Sequence, residues 1–204
     1  MQERYRYTSA IDYISGLQFD FMETYSFCRG KEYESSLEML SAEYEQLKTS
    51  KHGRENAGSQ EDQRYKELTR LLADTHYLVD KAGNFHFSSN KINTFRHDDT
   101  QVHAFRQILE TDTRDELKLL CAPEYRDALV FYDQSGKIVS TLNVCLSCLY
   151  METEAFNYIN AGYETYDRLK RWFIANGHQV ENPDYLFTDE VNKLIGKHRK
   201  ASSP

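Results

Sequence analysis

The chain has 204 residues, with 25 Lys and Arg against 32 Asp and Glu, for a formal net charge of −7. This length can form one large or two small domains, and four cysteines are too few for a disulfide scaffold. The acidic balance argues against nucleic-acid binding, which rests on clustered Lys and Arg. No apolar run is long enough for a signal peptide or a membrane span, so we expect a cytoplasmic protein, although a removed signal would leave the same sequence.

The first 60 residues are predicted to form a helical region. Apolar residues at three- and four-residue steps favour a helix that begins after Ser9, whereas the alternation over 17–21 fits a strand equally well. Residues 32–48 have the 4-3-4-3 spacing of an amphipathic helix. The segment 49–63 has no large apolar residue and reads as a flexible linker. We therefore expect a helical region over 1–60 and an α+β domain over 61–204.

Two stretches carry the pattern of a β-hairpin. The runs 128–132 and 137–144 flank Asp133-Gln-Ser-Gly136, in which Asp suits the first turn position and Gly supplies a positive φ. The stretch 77–87 repeats this pattern around Asp80-Lys-Ala-Gly83. Two such hairpins predict an α+β fold with a four-stranded, mainly antiparallel sheet that amphipathic helices pack against.

The remaining periodic segments predict those helices. One spans about 62–73, and a second begins after the capping residues Asp98 and Asp99. The strongest pattern covers 154–176 and ends at Gly177, with Gly162 on its apolar stripe. A last helix is expected over about 188–199.

Three of the four cysteines bracket the second hairpin. Cys121 precedes it, and Cys145 and Cys148 form a C-x-x-C pair after it. Cys121 enters the hairpin on the side where Cys145 leaves it, so three thiols could converge, and His86 on the first hairpin could complete a Cys₃His zinc site. A thiol-redox pair is a second interpretation, but the pair does not open a helix in a βαβ unit. The third interpretation is that the cysteines are reduced thiols packed in the protein, or form a single disulfide.

The sequence has no G-x-S-x-G, P-loop or G-x-G-x-x-G motif, and its carboxylate pairs stand at helix starts, where capping explains them. No catalytic or cofactor-binding residue is therefore predicted. A hydrolase site assembled from scattered His and Asp residues is the weakest of the alternatives.

The order Cys121-Ala-Pro123, then 128–133 (ALVFYD), then Gly136-Lys137, then Cys145-Leu-Ser-Cys148 resembles a group of small bacterial proteins of unassigned function, many from Bacteroidetes. They share a C-x-P…FYD-x-x-GK…C-x-x-C core, from which Glu124 and Leu146 depart. The resemblance covers under half of the chain and implies the cysteine grouping without naming an activity.

The leading hypothesis is a non-enzymatic, soluble protein-interaction module that binds a protein partner. A toxin-neutralising immunity protein in bacterial antagonism is the class that small acidic α+β chains of this kind suggest by analogy. Its motivation is the lack of a catalytic motif together with the acidity and the 15 tyrosines. The alternative is a zinc-binding or thiol-redox protein that uses Cys121, Cys145 and Cys148, with structural zinc as its cofactor.

Overall fold

The computed structural model describes residues 6–27, 29–51, 60–72, 77–80, 83–111, 122–153 and 157–193. In these ranges the fold is α+β, with seven strands in one mixed sheet of order β1-β7-β6-β5-β4-β2-β3. The strands are β1 (Arg6–Ser9), β2 (Phe21–Ser26), β3 (Asn90–Arg96), β4 (Asp127–Tyr132), β5 (Ile138–Cys145), β6 (Tyr150–Glu152) and β7 (Asn157–Asn160). The helices are α1 (Ala10–Gly16), α2 (Gly30–Lys51), α3 (Gln60–Leu71), α4 (Thr100–Leu109) and α5 (Tyr163–Ala175), followed by a helical segment, α6, over 187–193.

Strands β2, β4 and β5 form the antiparallel centre of the sheet. All six residues of β4 are buried, as expected for a β-branched and aromatic run that is covered on both faces. The turn between β4 and β5 forms as predicted, because Asp133 Oδ1 accepts from the amides of Ser135 and Lys137, and Gly136 adopts φ +83°. The predicted second hairpin is thus confirmed.

One face of the sheet packs against α1, α4 and α5. Its core includes Met22, Leu129 and Phe131 from the central strands, with Phe105 of α4 and Phe173 of α5. Ser9 caps α1 by accepting from the amide of Asp12, and Asp99 caps α4 by accepting from the amide of Gln101. The predicted caps Ser9 and Asp99 are confirmed, and Asp99 rather than Asp98 is the N-cap residue of α4.

The other face carries a smaller core that contains Tyr25, Val130 and Cys145, covered by Leu78 and Val79. The segment that supplies this cover was predicted to be the first hairpin. The Gly83 amide donates to the Asp80 carbonyl, as in the predicted turn, but within the described residues only one bridge, between Val79 and Phe85, joins the two arms. The Leu78 amide instead donates to Asn143 Oδ1 of β5, at 2.9 Å, so the segment lies over the sheet rather than in it.

The predicted four-stranded, mainly antiparallel sheet is therefore wrong, since the described sheet has seven strands and is mixed. β1 pairs with β7 in parallel, and the other pairings are antiparallel. The predicted helix over 154–176 is also too long, because 157–160 is strand β7 and Gly162 is the N-cap residue of α5. Its end at Gly177 is confirmed, with φ +85°.

The N-terminal part of the chain supplies β1 and β2 to the same sheet as the later strands. Helices α2 and α3 agree with the predicted helices and contact each other through stacked rings of Tyr44 and Tyr65 and an ion pair between Arg64 and Glu43. Most of the expected linker, residues 52–59, lies outside the described residues. The boundary proposed at residue 60 stays a prediction.

Candidate functional site

A cleft opens at the edge of the sheet where β2 and β5 end and β4 begins. It encloses a cavity of about 290 Å³ between these strand ends, α5 and the segment that follows α5. The residues that line it are Arg29, Glu124, Arg126, Asp127, Leu146, Ser147, Lys170, Val180, Glu181, Asn182, Tyr185 and Phe187. The wall is mixed in character, because it combines three cations and three carboxylates with an aliphatic and aromatic part.

Lys170 is the most unusual group in this wall. It lies in the middle of α5 and is 7% exposed, although lysine is rarely buried without a carboxylate partner. Its Nζ donates to the backbone carbonyls of Asn182 and Tyr185 and lies 5.7 Å from the centroid of the Tyr185 ring. Burial lowers the pKa of Lys170, while the more distant charges of Asp167 and Asp184 act in the opposite direction.

The segment after α5 is held in place by a second buried group on the same helix. Asp167, 3% exposed, accepts from the amides of Phe187 and Thr188 at 2.9 and 2.8 Å, at the start of α6. A carboxylate suits these amides because the first N–H groups of a helix have no partner within the helix. Asp167 and Lys170 together therefore fix the wall that Tyr185 and Phe187 contribute.

The other cations of the cleft are matched by carboxylates. Arg126 pairs with Glu124 at 2.8 Å and with Glu181 at 2.5 Å, and the two glutamate side chains are 68% and 58% exposed. Arg29 pairs with Asp127 at 2.6 Å. Among the described residues, Lys170 is thus the cation of the cleft that no ion pair joins to a carboxylate.

Behind the cleft, a chain of hydrogen bonds runs through the interior. Asp127 Oδ2 accepts from Arg29, and Asp127 Oδ1 accepts from His178 Nδ1 at 2.8 Å. His178 Nε2 lies 2.9 Å from Thr24 Oγ1, and Asn93 Nδ2 donates to that hydroxyl at 3.4 Å. The chain ties β2, β3 and β4 to the residue directly after the turn that ends α5.

The hydrogen bonds that join Thr24, His178 and Asp127 connect them in the order of a nucleophile, a base and an acid that orients the base, as in a catalytic triad. Thr24 is 0% exposed and does not line the cavity, and the His178 side chain is also closed to solvent. A substrate in the cleft cannot reach the hydroxyl in this arrangement. The three groups therefore act as a structural connection between strands, not as a reaction centre.

The predicted metal ligands lie elsewhere. Cys145 is the last residue of β5, is 1% exposed and is a free thiol, 3.4 Å from Ser147 Oγ. His86 is 8% exposed, and its Nδ1 accepts from the amide of Ser88 at 3.3 Å. Cys121 lies outside the described residues. The described ranges hold no group of three His, Cys, Asp or Glu placed for a metal ion, and the four-ligand zinc site stays a prediction.

Cys148 is disulfide-bonded, and its Sγ lies 3.6 Å from the carbonyl oxygen of Ala122. Because Cys145 is free, this disulfide does not close the C-x-x-C pair. A cysteine binds zinc as a thiolate, so zinc binding at Cys148 would require prior reduction.

Sequence reasoning did not find the cleft. In the sequence, Lys170 stands beside Arg171 near the end of the predicted 154–176 helix, where basic residues are explained by a weak surface interaction with the helix C-terminus. The available signal was a polar pair, Asp167 and Lys170, close to the apolar stripe. Its hydrogen-bond partners are backbone groups 12 to 21 residues later, from Asn182 to Thr188. His178 carried no signal beyond its place after Gly177.

Comparison with protein-family models, with curated proteins and with solved structures found no match to this chain. Within the described ranges, no helix combines the length and the apolar character that a membrane crossing requires.

Proposed function

We propose that this chain is a non-enzymatic protein-binding module of the immunity type, which binds and neutralises a protein toxin, and that the cleft receives an anchor side chain of that partner. The observation that carries the proposal is the composition of the cleft. Its exposed or half-exposed lining includes Arg126, Tyr185 and Phe187, and Tyr185 is 44% exposed. Aromatic and arginine residues around a partly closed pocket are the groups that dominate binding energy at protein interfaces.

The size of the cavity also supports binding of a side chain from a protein partner. At about 290 Å³ it lies just below the range of roughly 300–1,000 Å³ for small-molecule sites. One or two side chains of a partner fit such a volume better than a cofactor does. The net charge of −7 adds long-range steering toward a partner with a basic surface around the anchor.

The rigid support of the cleft favours recognition as well. Asp127, His178 and Lys170 are all buried and hydrogen-bonded, and they fix the strand ends and the segment after α5 relative to each other. A pocket that is already ordered loses less conformational entropy on binding than a mobile one. The cleft is therefore suited to hold a partner without a large rearrangement.

The test uses the product of the adjacent gene in the source genome as the probe. We expect that product to inhibit growth when it is expressed alone, and this chain to restore growth and bind it at one to one. Tyr185→Ala should weaken binding at least tenfold. Tyr7→Ala is the matched control, because Tyr7 is an exposed tyrosine of β1, at the edge of the sheet beyond β7, and it should bind as the wild type does.

A harmless adjacent product that does not bind this chain would contradict the immunity-type proposal. Purification of the chain from its native cells without a stoichiometric protein partner would argue against protein binding in general. Equal binding by the Tyr185→Ala and Tyr7→Ala variants would remove the cleft from the interface.

A further inference from the structure

We infer that the group the cleft recognises is a carboxylate, carried by an Asp or Glu side chain of the protein partner, and that Lys170 is the residue that binds it. The inference rests on the proposed function, since it specifies the anchor that the partner inserts. It follows from the way charges are matched around the cavity.

The first step is the charge balance of the wall. Arg29 is neutralised by Asp127, which is itself buried, and Arg126 is neutralised by two glutamates. Lys170 has only neutral carbonyl oxygens as acceptors. Its ammonium therefore contributes a positive charge to the cavity that no ion pair with a described carboxylate neutralises, and the charges of Asp167 and Asp184 act on it only from a greater distance.

The second step is the hydrogen-bonding capacity of that ammonium. A lysine Nζ has three N–H donors, and the carbonyls of Asn182 and Tyr185 accept from two of them. The third donor is available to a group in the cavity that Lys170 lines. A carboxylate oxygen satisfies this donor and the charge at once, and such charge-assisted bonds are about twice as strong as neutral ones.

The third step concerns the two glutamates of the same wall. Glu124 and Glu181 are both more than half exposed, so water screens their repulsion of an incoming anion, and both bind Arg126. Lys170 is 7% exposed, so its attraction acts through a medium of lower dielectric constant. An acidic side chain that passes the exposed glutamates is therefore favoured at the buried end of the cavity.

The fourth step is the apolar part of the lining. Leu146, Val180 and Phe187 line the same cavity as Lys170 and are partly buried against the core. The methylene groups of a Glu or Asp side chain can pack against these residues while the carboxylate reaches Lys170. This combination fits an acidic side chain of a peptide segment better than it fits a small inorganic anion.

The experiment titrates the ¹⁵N-labelled full chain with two peptides that differ in one atom group, acetyl-Ala-Leu-Glu-Leu-Ala-amide and its Gln counterpart. We expect the amide signals of Ser147, Val180 and Phe187 to shift with the Glu peptide, and the dissociation constant to be at least tenfold lower than for the Gln peptide. The peptide comparison needs no variant, so a folding defect cannot obscure it.

Two variants of the exposed Ser147, which lines the cavity, extend the test. Ser147→Glu places a carboxylate in the cleft and should abolish the preference for the Glu peptide, whereas the isosteric Ser147→Gln should retain it. Lys170→Met should lose the preference too, and Lys170→Arg should keep part of it.

Equal shifts with both peptides, or no shifts with either, would overturn the inference. The two proposals fail in different ways. If the Glu peptide binds through Lys170 but no protein partner does, carboxylate recognition stands and the protein-binding function fails. If a partner binds and Tyr185→Ala abolishes binding while Lys170→Met does not, the protein-binding function stands and the carboxylate inference fails.

Discussion

His178 Nδ1 donates to Asp127 Oδ1 at 2.8 Å, and both side chains are closed to solvent, at 0% and 2% exposed. The second oxygen of Asp127 accepts from Arg29 at 2.6 Å. The carboxylate thus connects the start of β4 with Arg29, three residues after β2, and with the segment after α5. It is the point at which three parts of the chain that form the cleft are joined.

Asp127→Ala should destabilise the protein by about 3–5 kcal/mol, because it leaves a buried histidine and a partly buried arginine without their shared carboxylate. The free energy of unfolding in urea, measured by circular dichroism, checks this. Asp133→Ala is the control, since Asp133 is a partly exposed aspartate in the turn after β4, and its loss should cost much less than the loss of Asp127. Equal losses for the two variants would show that the buried connection adds no special stability.

A second buried carboxyl group, that of Glu152, should make the free energy of unfolding depend on pH. Glu152 is 1% exposed, its Oε2 accepts from Tyr125 at 2.5 Å and from Tyr77 at 2.9 Å, and its Oε1 has no hydrogen-bond partner among the described residues. Burial raises the pKa of Glu152, and the two tyrosine hydrogen bonds only partly oppose it. The folded state therefore holds this proton more tightly than the unfolded state does.

The stabilisation from Glu152 should be complete below the unfolded pKa of about 4.3 and should be lost as the pH rises through the higher folded pKa. Glu152→Gln keeps a neutral side chain at every pH, so its unfolding free energy should improve relative to the wild type between pH 4 and pH 8. Glu34→Gln, at an exposed site of α2, is the control. A difference between Glu152→Gln and wild type that is constant over this range would contradict the prediction.

Glu23 should give a pH dependence of stability with the opposite sign to that of Glu152. Burial raises the pKa of Glu23, but hydrogen bonds from Lys91, Tyr25 and Tyr132 outweigh it and hold this pKa below its usual value. Its contribution to stability should be present above the unfolded pKa and be lost as the pH falls through the folded one. Unfolding curves of Glu23→Gln between pH 2.5 and pH 6 should therefore approach the wild type at the acid end, and parallel curves would refute this.

The sequence predicted those parts of the fold that local chemistry determines. The hairpin turn at Asp133 and the caps at Ser9 and Asp99 depend on bonds within a few residues, and all three are present. The sheet was wrong because its edges depend on distant partners. Strand β3 is largely polar, with a mostly exposed or half-exposed pattern, and β7 has only four residues and pairs with β1, about 150 positions earlier.

Dependence on distant partners also explains why the candidate site was not predicted from the sequence. The cysteines were conspicuous because they are close in the sequence, whereas Lys170 binds backbone carbonyls that no residue pattern encodes. A buried lysine within an amphipathic helix looks like any other polar position until the following segment folds over it. Short-range patterns identified the turns and the caps, and tertiary contacts determined the cleft.

The backbone conformation of Gly177, directly after α5, predicts a loss of stability when this glycine is replaced. It adopts φ +85°, and a Cβ built there would meet only Ile92 Cγ2, at 3.9 Å, so space does not limit the substitution. Gly177→Ala should therefore cost about 1–2 kcal/mol through the left-handed conformation alone. Gly16→Ala, at the end of α1, has open space and no positive φ, and it should be neutral or slightly stabilising. Thermal unfolding of the two variants compares them directly, and an equal loss would contradict the conformational argument.

The cysteines can be tested directly, because Cys145 and Cys148 differ in state although they are three residues apart. Cys145 is a buried free thiol, and Cys148 is disulfide-bonded to a residue other than Cys145. Alkylation in denaturant without reductant should label Cys145 and leave Cys148 unlabelled, and reductant should make both reactive. Peptide mapping by mass spectrometry reads both sites, and labelling of Cys148 without reductant would contradict the disulfide.

The zinc hypothesis is tested on the reduced chain, since a disulfide sulfur cannot act as a thiolate ligand. If Cys121, Cys145, Cys148 and His86 form a site, native mass spectrometry of the reduced protein should find one zinc ion per chain. The variant Cys145→Ser should lose that ion, and His103→Ala, a histidine outside the proposed ligand set, should retain it. A reduced chain that takes up no zinc would remove the metal alternative and leave Cys145 as a packed core thiol, consistent with its 1% exposure.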